Sequence, residues 1–316
     1  MINYPQVSIA IATYNGEKNL EKQLDSIYNQ TYKNIEVIVT DDGSTDGTIE
    51  ILEQYRKSYG LKYFVNEKNL GFIKNFEKAM SLCNGDFIAL SDQDDIWLPT
   101  KLEILMHEIG NALLVCSDCM LIDENGDVLQ DYWHSDKPLH DNYVSFEYFL
   151  FNNYVTGCTT LLKKELFLNA SPFPETEIYH DWNLAFNAVR LSSNAIKYVP
   201  KSLVQYRQHS KQDTGAKQHS IFYCTVVDLF NRVMKKQSAR IINNSKQLKR
   251  LQSYKQRYTF SDEQVQVLDD AINYYHFYLK SFFHLKAFMI SLKYSRYIYP
   301  RNNRYYLLNI VRDIVG

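Results

Sequence analysis

No uninterrupted apolar run of about 18 residues occurs in this 316-residue chain, and no signal-peptide pattern opens it. Neither a membrane-spanning helix nor secretion is expected, and a cytoplasmic location fits. No GxGxxG follows the first apolar segment, and no GxxxxGK followed by Ser or Thr occurs anywhere. These absences disfavour dehydrogenases and P-loop enzymes. Cysteine is scarce: five residues, an odd number, scattered and mostly inside apolar runs. Cys116 and Cys119 have CxxC spacing, but no second pair completes a zinc site, so buried thiols in a reducing compartment are expected. There is no internal repeat and almost no net charge, the formal value being −1. That balance conceals an asymmetry. From Lys217 onward there are 17 Lys and Arg against 6 Asp and Glu, whereas the preceding residues hold 18 against 30. An acidic body followed by a basic tail points to two units with different partners.

What is present is alternation. Val7 to Thr13, Ile35 to Thr40, Leu61 to Val65 and Phe87 to Leu90 read as strands. Between them, Leu20, Leu24 and Ile27, then Ile49, Ile51 and Leu52, then Phe72 to Leu82 carry helical spacing. The pattern predicts βαβ units and an α/β fold with a parallel, twisted sheet and flanking helices. In such sheets ligands collect at the carboxyl ends of the strands. Those ends carry Thr13-Tyr14-Asn15, Asp41-Asp42 and Asp92-Gln93-Asp94. Asp92, Asp94 and Asp95 crowd one turn and repel one another unless a hard divalent cation, Mg²⁺ or Mn²⁺, sits among them. A solvated acidic turn is the alternative. Tyr14 can stack on a base and a carboxylate can accept an N–H from a pyrimidine ring. A nucleotide diphosphate held through metal, rather than by a Gly-rich loop, is therefore expected.

Ala12-Thr-Tyr-Asn15 with Glu17, Asp41-Asp-Gly-Ser-Thr-Asp46, Asn69-Leu-Gly71, and Asp92-Gln-Asp-Asp95 with Pro99 follow in order. Together they resemble the family 2 glycosyltransferases, the inverting group with the GT-A fold. The resemblance implies a GT-A type, Rossmann-like, mostly parallel sheet over residues 1–215, followed by a helical extension over 216–316. It implies a donor site drawing on Thr13, Tyr14, Asn15, Glu17, Asp42, Asn69, Gly71 and Asp92. Within it Asp42 would read the base, Asp92 would lie against the ribose and diphosphate, and Asp94 would ligate the metal, leaving Asp41 and Asp95 as structural. Tyr154 to Thr160 reads as a loop entering a strand, and the resemblance sets Gly157 beside the transferred sugar.

Asp181 precedes a helical pattern, where an isolated Asp is most often an N-cap. The resemblance makes it the base that takes the acceptor hydroxyl's proton. His180 stands where the family usually carries an acid. Trp182 offers a flat face to an acceptor sugar, or else packs in the core. Val204 to His209 reads as a last strand. Near a diphosphate, Arg207 and His209 can neutralise the leaving group or complete the metal shell.

Ser91-Asp-Gln-Asp-Asp-Ile-Trp97, Thr156-Gly-Cys-Thr159, His180-Asp-Trp182 and Tyr206-Arg-Gln-His209 look most like bacterial rhamnosyltransferases of surface polysaccharide synthesis. That likeness implies a dTDP-rhamnose donor, with a UDP-hexose as the alternative, and a glycan acceptor carried on lipid. A non-catalytic nucleotide-sugar or polysaccharide-binding protein is the rival class. Asp92, Asp94 and Asp181 together argue against it, since a binding module needs no base. From Ile221, apolar and aromatic residues recur at helical spacing with Lys and Arg between them, break at a polar stretch ending near Ser261, and resume from Ala271. Such a tail suits peripheral contact with the inner face of the cell membrane, a homo-oligomer interface, or packing on the acidic body. Without a recognisable motif, nucleic acid is not an expected partner.

Overall fold

The computed structural model describes residues 5–133, 144–208, 226–280 and 285–298. The chain divides into two compact units. One is drawn from Met1–His140, Tyr154–Phe173 and Tyr179–Gly215, the other from Asp141–Asn153, Pro174–Ile178 and Ala216–Gly316.

In the first unit, β1 (Val7–Thr13), α1 (Leu20–Tyr28), β2 (Ile35–Asp41), α2 (Thr48–Tyr59), β3 (Lys62–Val65), α3 (Phe72–Ser81) and β4 (Phe87–Ser91) follow one another. The strands lie in the order β3-β2-β1-β4, all parallel. Parallel neighbours need a crossover between them, and each helix supplies one. β1 is buried along nearly its whole length, as expected of a central parallel strand covered on both faces. Its register aligns Thr13 with Asp41 and Ile11 with Ser91. The polar residues that follow these three strands therefore emerge side by side.

Beyond β4 the sheet becomes mixed. β5 (Ile96–Trp97), α4 (Lys101–Glu108), β6 (Leu114–Ile122) and β7 (Val128–Gln130) come next, and α5 (Phe146–Phe151) belongs to the second unit. β8 (Thr160–Lys163), α6 (Lys164–Ala170), α7 (His180–Leu191) and β9 (Ile196–Arg207) complete the first. β8 runs antiparallel between β4 and β6, while β9 lies parallel to β6. β9 begins at Ile196, well before the expected Val204, because pairing with β6 recruits Ile196 to Val199. β5 pairs Ile96 with Gln205 and so ties the acidic turn after β4 to the end of β9. The result is one nine-stranded α/β sheet.

The second unit holds α5 with α8 (Val226–Arg257), α9 (Asp262–Lys280), α10 (Leu285–Lys293) and α11 (Ser295–Ile298). The polar stretch before Ser261, expected to break the pattern, is helical as far as Arg257. Arg250, Leu251, Tyr254 and Tyr258 are buried there, and their spacing puts them on one helix face. The break is short and has a local cause. Ser261 Oγ accepts from the Gln264 amide (3.3 Å) and Gln264 Oε1 from the Ser261 amide (3.1 Å), a reciprocal cap that starts α9. Upstream residues join these helices through specific contacts. Phe151 meets Tyr274, Tyr275 and Tyr294, and Tyr254 Oη donates to Glu177 Oε2 at 2.6 Å. Among the described residues no helix is long and apolar enough to cross a membrane.

One carboxylate organises the entry to β4. Glu36 Oε1 accepts from Ser8 Oγ (2.5 Å), the Asn84 amide (2.6 Å) and the Gly85 amide (3.2 Å). A Cβ on Gly85 would fall 2.6 Å from Gln6 O, so only glycine allows this close approach. Burial opposes ionisation of Glu36, but the donors from Ser8, Asn84 and Gly85 outweigh it and bring its pKa down to about 2. The stability so gained is present above the ordinary value of 4.5 and is lost as pH falls toward about 2. Glu36→Ala is expected to cost about 2 kcal/mol in urea unfolding at neutral pH. The gap from wild type should narrow on acidification, and equal stabilities at neutral pH would discount the cluster.

Candidate active site

The loops at the carboxyl ends of β1 and β2 are closed by their own polar side chains. Asp41 is fully buried and accepts from Thr13 Oγ1 (2.9 Å), the Gly43 amide (3.1 Å), the Ser44 amide (2.8 Å) and Ser44 Oγ (2.5 Å). Asp42, pointing the other way, accepts from Asn66 Nδ2 (2.8 Å) and the Leu70 amide (2.7 Å) on Oδ1, and from the Gly71 amide (2.8 Å) on Oδ2. Gly71 has φ +78°, a left-handed backbone that favours glycine. Asn69 Nδ2 donates to the Asp42 carbonyl at 3.1 Å. Asp42 thus shapes the Asn69–Gly71 loop while still facing a cavity of about 440 Å³.

Gln93 clasps the backbone of Tyr14, Oε1 accepting from its amide (2.9 Å) and Nε2 donating to its carbonyl (3.2 Å). The clasp holds the half-exposed Tyr14 at the cavity rim. Asn15 and Glu17, expected in the donor site, are used differently. Asn15 Oδ1 accepts from the Thr45 amide (2.8 Å), and Glu17 Oε2 accepts from the Gly47 amide (3.0 Å) at the start of α2. They stitch the β1 loop to the β2 loop, and neither lines the cavity.

Carboxylates crowd the cavity wall and the space behind it. Asp92 is pushed up to about 7 by burial and by the charges of Asp94 and Asp181, with Lys101 pulling the other way. Asp95 is fully buried, held well above the usual carboxylate range by burial and by Asp94 and Asp92. Its Oδ1 accepts from the Arg207 amide at 3.0 Å. The Arg207 guanidinium donates through Nε to Asp94 O (2.9 Å) and through Nη1 to Asp123 O (3.0 Å) and Glu124 O (3.1 Å). Arg207 therefore pins the acidic turn to the β6–β7 hairpin, and its buried Nη2 has no hydrogen-bond partner among the described residues.

Asp92, Asp95 and Cys158 offer atoms within 4.8 Å of one another. Burial keeps the Cys158 thiol protonated, however, and soft sulfur suits a hard cation poorly. The mutually repelling, cavity-lining carboxylates Asp92 and Asp94 are the donors that fit Mg²⁺ or Mn²⁺. His209, expected as a further ligand, lies outside the described residues.

The opposite wall comes from the other half of the unit. Asp181, in the first turn of α7, has Oδ2 held by the Gly157 amide at 3.0 Å. Thr13, Tyr14, Asp42, Asn69, Gly71, Asp92, Asp94, Gly157, Asp181 and Arg207 line the same cavity. Trp182 does not; it is 8% exposed and packed inside. Residues that sequence reasoning passed over as site members include Phe72, Phe76 and Tyr179, which lend the cavity an aromatic wall. Lys101 was passed over too. It is fully buried, donates to Cys158 O at 2.6 Å, and lies 3.2 Å from the centroid of the Trp97 ring. Nothing in the spacing of Pro99-Thr100-Lys101 distinguishes it from a solvated helix start.

With this geometry in hand, comparison with known proteins is informative. The family model for glycosyl transferase family 2 matches residues 8–168. The dTDP-rhamnosyl transferase RfbG of Shigella flexneri is 35% identical over 228 residues, covering 65% of this chain and 74% of that protein. An uncharacterized glycosyltransferase of Haemophilus influenzae is 29% identical over 239 residues, covering 69% and 70%. Among solved structures, Staphylococcus aureus TarS in complex with UDP-GlcNAc superposes with a TM-score of 0.55 at 18% identity, covering 99% of this chain and 90% of that one. The mannosyltransferase PcManGT of Pyrobaculum calidifontis, in complex with GDP-Man and Mn²⁺, gives 0.54 at 15% identity, covering 98% and 80%. Both structures share the fold.

The buried amine of Lys101 generates a test. Lys101→Met keeps the length of the stem but leaves the Cys158 carbonyl without its donor. Loss of about 1–3 kcal/mol in urea unfolding is expected. A variant as stable as wild type would make the amine dispensable.

Proposed function

The chain belongs to glycosyl transferase family 2, and from that premise we propose that it moves a sugar from a nucleotide-diphosphate donor to an acceptor hydroxyl, inverting the anomeric centre. The observation that carries this reading is a shared cavity. It joins the strand-end groups Tyr14, Asp42, Asp92 and Asp94 to a carboxylate, Asp181, on its far wall. Tyr14 and Asp42 would take the base and Asp92 the ribose and diphosphate. Asp92 and Asp94 would hold the divalent cation, with His209 as a further ligand. When bound, that ion supplies charge neutralisation for the leaving diphosphate.

Asp181 would accept the proton from the acceptor hydroxyl as its oxygen bonds to the anomeric carbon and the sugar–phosphate bond breaks. The Gly157 amide on Oδ2 orients that carboxylate. Arg207 Nη2, buried at the cavity and offering a donor, would meet a diphosphate oxygen. L-Rhamnose from dTDP-rhamnose is the favoured donor, on the strength of the 35% identity to a dTDP-rhamnosyl transferase.

Release of dTDP or UDP from dTDP-L-rhamnose and UDP-glucose, with a lipid-linked glycan acceptor, tests the proposal. Turnover should favour the rhamnose donor, stop with EDTA and return with Mn²⁺ or Mg²⁺. Asp181→Asn should retain donor affinity while transfer falls by about 10²–10⁴-fold. Because burial and its neighbours raise Asp92, Mn²⁺ binding should tighten as pH rises through about 7. Turnover with UDP-glucose alone would replace the donor. Donor binding with no transfer at all would make the protein a binding module.

We further propose that the acceptor is met at an anionic membrane surface. From Lys217 onward Lys and Arg outnumber Asp and Glu 17 to 6, and Ile241, Ile242, Leu285 and Met289 are exposed on the second unit. Each basic residue near such a surface adds about 1 kcal/mol. Co-sedimentation with phosphatidylglycerol vesicles is expected at low salt and should fail at high salt. Self-association without vesicle binding at low salt would make these helices a homo-oligomer interface.

A further inference from the structure

His180 opens α7 directly beside Asp181, yet the proposed chemistry assigns it nothing. Its ring is 6% exposed and stacks on Phe76, with centroids 4.1 Å apart and planes inclined by 20°. Phe72 meets it edge-on at 6.2 Å. Both ring nitrogens are buried, and neither has a hydrogen-bond partner among the described residues. Burial brings the imidazole pKa down to about 3, so the ring is neutral and offers one donor and one acceptor.

A buried polar atom without a partner costs about 1–3 kcal/mol. A phenyl ring would occupy the same apolar slot without that cost, so the imidazole asks for an explanation. The slot itself is cut to fit. A Cβ on residue 157 would lie 2.7 Å from His180 Nε2, and Gly157 has no left-handed backbone that would otherwise call for glycine. Gly157 thus makes room for the His180 ring and at the same time holds Asp181 through its amide. His180, Gly157, Asp181, Phe72 and Phe76 all line the donor cavity.

We propose that His180 is a specificity-determining residue whose neutral imidazole hydrogen-bonds a ring hydroxyl of the transferred sugar, with Phe72 and Phe76 forming the apolar side of the same subsite. A hydroxyl can donate to the acceptor nitrogen of a neutral imidazole or accept from its N–H, so it can pair with either ring nitrogen. A site built in this way rejects analogues that lack the hydroxyl, because its own buried group is then left unpaired. The inference rests on the glycosyl-transfer reading and adds to it the residue that reads the sugar.

Calorimetric binding without acceptor separates the two. The probes are dTDP, UDP, dTDP-L-rhamnose and UDP-glucose, together with monodeoxy analogues of whichever sugar nucleotide binds. His180→Phe keeps a ring stacked on Phe76 but has no polar atom. It should lose about tenfold or more in affinity for the sugar nucleotide and bind the bare nucleotide diphosphate as wild type does. His180→Gln should recover part of the loss. Removing one particular sugar hydroxyl should weaken wild type to the level of His180→Phe and leave that variant unaffected. Equal loss for the bare nucleotide, at unchanged thermal stability, would reduce His180 to a structural role and overturn the proposal. So would wild-type affinities in the variant, or a defect confined to the acceptor KM. If wild type binds the probes and transfers sugar while His180→Phe matches it throughout, only this inference fails. If wild type neither binds nor transfers any sugar nucleotide, both readings fall.

Discussion

Carboxylates brought together at one cavity are the constraint on which this site is built. Asp41 and Asp42 are each answered by several amide and hydroxyl donors, and Asp95 receives the Arg207 amide. The charge of Asp41 and Asp42 is absorbed into the scaffold. Asp92 is raised by burial and by Asp94 and Asp181, and all three of these face the same cavity. Two opposing walls therefore share one electrostatic problem, which a cation and a polar ligand between them would resolve. Lys101, buried below, relieves it only in part, because its own burial brings its pKa down to about 7.

Topology decides which groups meet. The parallel half of the sheet aligns Thr13, Asp41 and Ser91 at neighbouring strand ends and so presents the nucleotide side. The mixed half, where β8 runs antiparallel to β4 and β9 returns parallel to β6, carries Gly157 and Arg207 back to that edge. The two residues of β5 complete the arrangement by pairing with β9, so that the Arg207 amide reaches Asp95. Rigid elements thus hold both sides, and a reacting group anchored on a helix start and a strand end is placed more accurately than one on a free loop.

Much of this was legible from residue order. Strands β1, β2 and β4 are largely apolar runs ending in polar turns, a pattern that reads the same in sequence and in space. What adjacent identical residues do was not legible. Asp41 and Asp42 look interchangeable, but Asp41 ends β2 closed in by Thr13, Gly43 and Ser44, whereas Asp42, just past the strand, lines the cavity. Asn15 and Glu17 carried the right motif chemistry and were spent on loop closure. Trp182 follows Asp181 directly, yet a helix turns about 100° per residue, which takes its side chain away from the cavity. The wide, interrupted pattern near Ser261 concealed a helix whose buried face is made of Arg250, Leu251 and Tyr254, because a buried arginine is indistinguishable in sequence from a solvated one.

By itself the sequence determined the alternation that makes a parallel α/β sheet, the polar strand ends, the acidic turn after β4 and the candidate base in the first turn of α7. These are local properties, set by periodicity and by residue chemistry at a few adjacent positions. Tertiary structure alone decided which carboxylates are closed into the scaffold and which line the cavity, since that depends on donors brought in by distant segments, as the Gly71 amide is to Asp42. It also decided that Gly157 leaves room for the ring of His180. A steric clearance between two residues far apart in the chain has no signature in either one; it exists only once β8 has paired with β4 and α7 has packed against α3.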